Sequence, residues 1–379
     1  MWKIPLFDLN YDHAERNAVL EVLESKWLSS GEKTKEFETQ FSNYLGKEVY
    51  STAVSNCTAA LHMSLMIADV KEGDEVIIPS LTFVADANVV KIMKATPILC
   101  DVASNEDWNM DIAHLETLIT PKTKAVIAVH YAGYPIETIK ELVVLCKKHN
   151  LILIEDVAHA IGGSYDGQKC GTFGDMSCFS FFSNKNLSTG EGGMFVTKNP
   201  HFYEQAKLLR SHGMTSMTID RHQGKTISYD VIQPGLNYRG DEIKSALGLV
   251  QLSKLDHANK LRSELVEHYQ QKLAAVVPGI TVPFKKISKA SVSSYHIFPV
   301  MLPVGADRPK IMEKLKEKGI QASIHYPAMK DFSYYSKVLK NEVKKANEIS
   351  SRVITLPLYP TLKKEQIDVV VDVLASALG

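Results

Sequence analysis

Short apolar runs recur along the first half of the chain, and segments long enough for helices separate them. The runs occupy residues 76–78, 97–100, 125–129, 151–154 and 178–181. They are nearly continuous rather than alternating, which is typical of strands buried on both faces of a parallel or mixed sheet. Between two of them, residues 136–149 carry apolar positions at helical spacing and end in basic residues. This half of the chain is therefore predicted to have an α/β fold.

The second half begins with a long segment, residues 241–276, that has helical spacing and no proline. It predicts one long helix. After it, strands are predicted near residues 296–302, 322–326 and 353–356, with helices near 308–318 and from 364 onward. We expect a large α/β domain over residues 1–250 and a smaller α+β domain over residues 251–379, with the boundary inside the long helix.

Composition narrows the function classes. The chain has 379 residues, of which 45% are hydrophobic and 23% charged, as in ordinary globular proteins. Its 43 Lys plus Arg balance 43 Asp plus Glu, so no overall basic field attracts nucleic acid or anionic lipid. The sequence lacks an apolar stretch of the roughly 18–20 residues that span a bilayer, and its start lacks the order of a signal peptide. We expect a cytoplasmic protein without partners among nucleic acids or membranes.

The five cysteines are scattered and do not lie at the spacing of metal ligands. An odd number of scattered cysteines in a cytoplasmic chain is typical of reduced thiols. We therefore expect neither disulfides nor a metal site.

Two acids and a histidine follow directly after one of the predicted strands, in the motif EDVAHA at residues 155–160. In open α/β sheets, ligands bind at the carboxyl edge of the strands, so Asp156 and His159 are candidates for a site. A structural interpretation is equally open for the motif alone, with Asp156 capping the next helix and His159 in the core.

A polar turn with a single lysine follows the next strand. Residues 183–193 read SNKNLSTGEGG, and an apolar run continues at 194–196. Lys185 could be an ordinary surface lysine, but the apolar flanks favour burial at the sheet edge, where its pKa falls and the amine becomes a nucleophile. The glycines lack the spacing of a dinucleotide fingerprint, so nicotinamide chemistry is not predicted.

Two further segments add candidate residues to this site. Cys57 and Thr58 lie in the small, polar first turn of a predicted helix, where free amides favour an anion, and Phe83 follows another strand. Taken separately they are a helix start and a core aromatic. Together with Lys185 and Asp156 they supply an amine, a carboxylate for a ring nitrogen, a phosphate site and an aromatic surface. These are the parts that hold pyridoxal phosphate.

Several motifs in this order resemble one family. EDVAHAIG at residues 155–162, FSF at 179–181, Lys185 with TGEGG at 189–193, and LNYR at 236–239 are similar to motifs of the DegT/DnrJ/StrS sugar aminotransferases of fold type I. The resemblance covers nearly the whole chain. It implies a large domain with a mostly parallel, seven-stranded sheet, a smaller C-terminal α+β domain, and pyridoxal 5′-phosphate as the cofactor.

The resemblance also implies a reaction. An amino acid, L-glutamate by the resemblance, donates an amino group to a keto sugar, most often a nucleotide-linked 4-keto-6-deoxyhexose, in amino-sugar and surface polysaccharide biosynthesis. A dehydratase branch of the family has His in place of the lysine, so Lys185 favours transamination. Alternatives are a pyridoxal-dependent sugar dehydratase, a 3-keto sugar aminotransferase, and a regulatory or interaction protein that kept the fold without catalysis.

The resemblance assigns roles residue by residue. Lys185 binds the cofactor covalently and moves the proton, and Asp156 pairs with the pyridine nitrogen. The other cofactor positions are His159 near the phenolic oxygen, Phe83 on the ring face, and Ser180, Cys57 and Thr58 at the phosphate. Asn237 matches an asparagine that reaches the phosphate from the neighbouring subunit, which implies a homodimer with shared sites. Tyr238, Arg239, His325 and Tyr326 lie in substrate-facing segments. Cys57 departs from the glycine of most members, where a side chain could narrow the phosphate pocket.

Overall fold

The computed structural model describes residues 2–216, 218–339 and 341–379. The helices of the described residues are α1 (His13–Ser25), α2 (Glu32–Leu45), α3 (Cys57–Ile67), α4 (Ala85–Ile92), α5 (Ile112–Leu118), α6 (Ile139–Lys148), α7 (Pro200–Leu209), α8 (Thr218–His222), α9 (Glu242–Val276), α10 (Arg308–Glu317), α11 (Tyr335–Val338), α12 (Lys344–Arg352) and α13 (Lys364–Leu378). The strands are β1 (Tyr50–Val54), β2 (Glu75–Pro79), β3 (Thr96–Cys100), β4 (Thr123–Val129), β5 (Ile152–Asp156), β6 (Ser164–Tyr165), β7 (Gln168–Lys169), β8 (Met176–Ser180), β9 (Gly193–Thr197), β10 (Ser291–Val292), β11 (Phe298–Met301) and β12 (Val353–Leu356).

A central sheet in the described residues has seven strands in the order β1-β9-β8-β5-β4-β2-β3. The strands from β8 to β3 are parallel to their neighbours, whereas β9 runs antiparallel to β8 and to β1. In β2, Ile77 belongs to the core layer shared with α6, and Ile78 belongs to the layer shared with α3 and α4. Both faces of the strand are therefore covered, which explains the continuous apolar runs and confirms the predicted α/β fold.

The sheet brings the chemically interesting turns to one edge. Asp156 ends β5, where it lies opposite Val129 of β4 and Cys178 of β8. Gly193 begins β9, between Val54 of β1 and Ser180 of β8. The carboxyl ends of four strands, β1, β4, β5 and β8, and the beginning of a fifth, β9, thus lie along the same edge.

A second core lies in the C-terminal part of the chain. β11 and β12 pair antiparallel, and their residues pack with α10 and α13, which makes this part α+β as predicted. Helix α9, 35 residues long, confirms the helix predicted over 241–276. Its Leu255 belongs to the core beside the central sheet, whereas Tyr269 belongs to the second core. The division at residue 250 stays a prediction.

The strand predicted at residues 322–326 is wrong. Ser323 makes a single isolated bridge to Thr355, and the segment then leaves the ladder. The carbonyl of His325 accepts a hydrogen bond from the Tyr131 hydroxyl, and the Tyr326 hydroxyl lies 2.9 Å from Nε2 of His159. These bonds turn the segment toward the sheet edge instead of along β12.

Two further expectations can be compared with the structure. The five cysteines are free and buried in the described residues. None of the helices in those ranges combines the length and the apolar character that crossing a bilayer requires.

Candidate active site

A cavity of about 650 Å³ opens at the carboxyl edge of the central sheet. Most of the predicted site residues line it, although they come from distant parts of the chain. They are Cys57, Thr58, Phe83, Asp156, His159, Ser180, Lys185, Tyr238, His325 and Tyr326. The amine of Lys185 and the carboxylate of Asp156 therefore share one cavity.

The amine of Lys185 is buried in this cavity. Burial lowers its pKa to about 8, because an ammonium ion loses hydration there, and the negative charge of Asp156 opposes this effect. Its Nζ lies 3.3 Å from Nε2 of His296. A substantial fraction of this lysine is neutral near physiological pH, as a nucleophile or a proton acceptor requires.

Two hydrogen-bond donors of the same chain contact the Asp156 carboxylate. Its Oδ1 accepts the amide of Ala158 at 2.8 Å, and Sγ of Cys57 lies 3.8 Å from the same oxygen. Burial raises the pKa of the Cys57 thiol well above its usual value, so the thiol is a neutral donor. The Cys57 side chain is thus buried against the Asp156 carboxylate.

The first turn of α3 lines the cavity and has the free backbone amides that suit an anion. Asn56 caps the helix by accepting the amide of Ala59 at 2.8 Å, while Cys57 and Thr58 in the first turn line the cavity. The first amides of a helix have no acceptor within the helix, so they can bind a phosphate group. A Cβ on Gly193 would lie 2.5 Å from the carbonyl carbon of Asn56, so glycine is what lets β9 begin directly beside this turn.

His159 and Tyr326 form one hydrogen-bonded pair at the cavity wall. Nδ1 of His159 accepts the amide of Ala132 at 3.2 Å, so Nε2 carries the hydrogen and donates to the Tyr326 hydroxyl. Burial lowers the pKa of His159 well below its usual value, and the imidazole is neutral. The ring of Phe83, whose side chain is exposed, lies 5.8 Å from the Tyr326 ring.

Two predicted residues do not line the cavity of their own chain. Asn237 is exposed and makes an isolated bridge with Ser211, and Nη1 of Arg239 donates to the hydroxyl of Ser211 at 3.1 Å. Both lie on the segment that leads to and from Tyr238, which does line the cavity.

Three further residues at or near the site, His296, Asn184 and Asp86, have no role that the sequence pattern predicts. His296 begins a predicted strand, and Asn184 belongs to the polar turn that contains Lys185. Oδ1 of Asn184 is buried without a donor among the described residues, although its side chain lines the cavity. Such an acceptor is available to a bound ligand.

These residues fit pyridoxal phosphate. The cavity has the size of a cofactor site. It combines an amine of lowered pKa, a buried carboxylate, a helix start and an oxygen, Oδ1 of Asn184, that has no donor within the described ranges.

Comparison with known proteins agrees with the geometry. The model of the DegT/DnrJ/EryC1/StrS aminotransferase family matches residues 10–375. This chain belongs to that family. It is a pyridoxal-phosphate-dependent aminotransferase of fold type I, within a family of sugar aminotransferases.

Several relatives of this aminotransferase match over nearly their whole length. An uncharacterised protein of Methanocaldococcus jannaschii is 35% identical over 375 residues, which are 97% of this chain and 96% of the relative. PseC of Helicobacter pylori, an aminotransferase involved in the biosynthesis of pseudoaminic acid, has a TM-score of 0.90 at 31% identity, covering 100% of this chain and 98% of PseC. The PMP form of the putative sugar aminotransferase Spr1654 from Streptococcus pneumoniae has a TM-score of 0.90 at 29% identity, covering 100% and 98%.

Proposed function

We propose that this aminotransferase moves an amino group from L-glutamate to a nucleotide-linked 4-keto-6-deoxyhexose, in the cytoplasm, for amino-sugar and surface polysaccharide biosynthesis. The observation that carries the proposal is the buried Lys185 amine in the same cavity as Asp156 and the start of α3. When bound, pyridoxal phosphate supplies an aldehyde that accepts amines and a ring that withdraws electrons.

The chain's own residues have separable tasks in this proposal. Lys185 holds and moves a proton at Nζ, because its lowered pKa lets the amine exist in both protonation states near neutral pH. Asp156 presents a negative charge to the ring nitrogen. Thr58, Ser180 and the first amides of α3 bind the phosphate group.

Aromatic and polar side chains of the cavity support a keto-sugar acceptor. Phe182, Tyr238 and Tyr326 line the cavity beside the proposed cofactor residues, and aromatic faces pack well against the C–H faces of a hexose. His325 and the Tyr326 hydroxyl add polar groups that can contact sugar hydroxyls. The family relation and the printed role of PseC in pseudoaminic acid biosynthesis support the same substrate class.

A homodimer with shared sites is part of the proposal. Asn237 is exposed on its own chain, next to a residue that lines the cavity. The preceding segment also exposes large apolar side chains, at Ile227, Tyr229, Val231 and Ile232. An exposed apolar group of this size is typical of a surface that a partner covers. A second copy of the chain would bury it and carry Asn237 to the other cavity.

One experiment tests the reaction. The purified enzyme with bound cofactor is incubated with [15N]glutamate and a panel of nucleotide keto sugars, and the products are identified by mass spectrometry. We expect a 15N-labelled amino sugar from a 4-keto-6-deoxyhexose. A sugar that loses water without gaining nitrogen indicates the dehydratase alternative, and a labelled 3-amino sugar indicates the other branch. Absence of any labelled product contradicts the proposed acceptor.

A second experiment tests the assignment of Lys185. Borohydride reduction followed by peptide mapping should place the cofactor on Lys185, and Lys185→Ala should abolish labelling and transfer. Lys147, an exposed residue near the end of α6, offers a control, since Lys147→Ala should keep both. Label on another lysine contradicts the assignment.

A further inference from the structure

Asp86 is a buried carboxyl group that has no assigned role in the proposed reaction. It lies in the first turn of α4, directly after Thr82, Phe83 and Ala85, which line the cavity. Its relative exposure is 0%. Aspartate is almost never fully buried unless it has a partner, so this position calls for one.

The contacts of Asp86 indicate that one of two neighbouring carboxyl groups carries a proton. Its Oδ2 accepts the hydroxyl of Thr82 at 2.6 Å, whereas its Oδ1 finds no donor among the described residues. The Asp86 carboxyl lies within hydrogen-bonding reach of the Asp156 carboxyl. Two ionised carboxylates are both acceptors and repel each other, so this contact is stable only when one of them carries a proton.

The surroundings decide which carboxyl is protonated. Burial raises the pKa of Asp156, but the amide of Ala158 and the positive charge of Lys185 oppose this effect and stabilise the ionised form. Asp86 has only the Thr82 hydroxyl as a donor in the described structure, and burial together with the charge of Asp156 raises its pKa well above the usual value. The proton therefore resides on Asp86.

We propose that Asp86 is a positioning residue, a neutral carboxylic acid that donates a hydrogen bond to Asp156 and holds it ionised and oriented toward the cofactor's ring nitrogen. The proposal rests on the pairing of Asp156 with that nitrogen in the proposed function. It assigns Asp86 no contact with the substrate. The titratable groups that surround the pair from other elements are Cys57 on α3, His130 after β4, Cys178 on β8, Lys185 and Tyr326.

The test compares Asp86→Asn with Asp86→Ala. The asparagine amide keeps a donor for Asp156 and an acceptor for Thr82, whereas alanine removes both. The readouts are the 15N chemical shift of ring-labelled pyridoxal phosphate in the holoenzyme and the cofactor dissociation constant. Neither needs a sugar, so a wrong sugar assignment leaves them interpretable.

We expect the wild type and Asp86→Asn to share a protonated ring nitrogen and to bind the cofactor within about threefold of each other. Asp86→Ala should weaken cofactor binding by roughly 10- to 100-fold, as expected for a lost hydrogen bond to a charged group, and should move the 15N shift toward the deprotonated ring. If Asp86→Ala does not fold, Asp86→Val fills the space without a donor and takes its place.

Infrared difference spectra provide a measurement that does not depend on the cofactor. Wild-type protein minus Asp86→Asn should show the band of a protonated carboxylic acid at neutral pH. Absence of that band overturns the proposal. It is also overturned if the variant without a donor matches the wild type in 15N shift and affinity, or if asparagine performs as poorly as alanine.

Discussion

Nε2 of His296 lies 3.3 Å from Nζ of Lys185, and the bonds of the imidazole fix its tautomer. The other ring nitrogen, Nδ1, lies 3.0 Å from Oδ1 of Asn186. The Asn186 amide donates to Asn259 and to the carbonyl of Ser294, both at 2.7 Å, so its oxygen must be the acceptor toward His296. Nδ1 therefore carries the hydrogen, and Nε2 presents a lone pair to the lysine.

This arrangement predicts that His296→Ala slows amino transfer. Burial lowers the pKa of His296 well below its usual value, so the imidazole is neutral near pH 7 and can accept a hydrogen bond from the amine. Loss of the acceptor releases the amine from its position, and we expect kcat to fall by roughly 100-fold with little change in KM. Steady-state and single-turnover kinetics measure the effect. His201→Ala, at an exposed position in α7, is the control and should be unchanged, and equal rates in both variants would remove His296 from the mechanism.

The pKa of Lys185 predicts how cofactor capture depends on pH. Only the neutral amine attacks an aldehyde, and burial lowers this pKa from 10.5 to about 8. The neutral fraction therefore rises with pH through about 8, and at pH 7 it is roughly 300-fold larger than for an ordinary lysine. Stopped-flow absorbance after mixing cofactor-free protein with pyridoxal phosphate, between pH 6.5 and 10.5, should give a half-maximal rate near pH 8. A midpoint above pH 10 contradicts the description of the site.

The close packing around Gly193 predicts that a methyl group at this position lowers the free energy of unfolding. In Gly193→Ala the new Cβ would lie 2.5 Å from the carbonyl carbon of Asn56 and 2.7 Å from the amide nitrogen of Cys57, and backbone atoms cannot rotate away. We expect a loss of about 1–3 kcal/mol in the free energy of unfolding and weaker cofactor binding, because the start of α3 must shift. Denaturant unfolding and cofactor titration measure the two effects.

Gly240→Ala is the matched control for Gly193→Ala. Its nearest neighbour would be Cβ of Ala53 at 3.4 Å, an ordinary contact, and Gly240 has no left-handed backbone conformation. Its stability and cofactor affinity should remain near those of the wild type. If both variants behave alike, the close approach at Gly193 is not what shapes the anion site.

The sequence predicted those parts of the site that follow a strand along the chain. Asp156 ends β5 and Lys185 follows β8, so apolar runs with a polar turn after them were enough to find both. The same reasoning could not find His296, because its contact with Lys185 spans 111 residues and depends on how the second core packs on the sheet. The sequence could not identify Asp86 for a different reason. An acid in the first turn of a helix is an ordinary feature, and only the fold shows that it faces Asp156 rather than solvent.

The strand predicted at residues 322–326 failed because local pattern and tertiary contact disagree. Its alternating residues suit a strand, but His325 and Tyr326 are bound to Tyr131 and His159 at the cavity wall. Those hydrogen bonds depend on side chains far away in the chain, so periodicity alone contains no sign of them. Mispredicted positions of this kind lie where the fold builds its site.

Shared sites predict that two inactive variants restore activity to each other. Lys185→Ala removes the amine from its own cavity, and Asn237→Ala removes the asparagine that we propose reaches the partner's cavity. In a mixed dimer one site has both defects and the other has neither. Random exchange makes half of the dimers mixed, so about a quarter of the sites should be intact. Unfolding and refolding the two variants together, followed by an activity assay, measures this fraction.

A second mixture distinguishes shared sites from a mixture whose activity is only the mean of its two components. Lys185→Ala and Asp156→Asn both damage the cavity of their own chain, since both residues line it. In their mixed dimer each site keeps one defect, and refolding them together should restore nothing. Restoration in the first mixture and none in the second requires that Asn237 acts across the subunit boundary. If the first mixture only averages its components, Asn237 serves no neighbouring site and each chain holds a complete one.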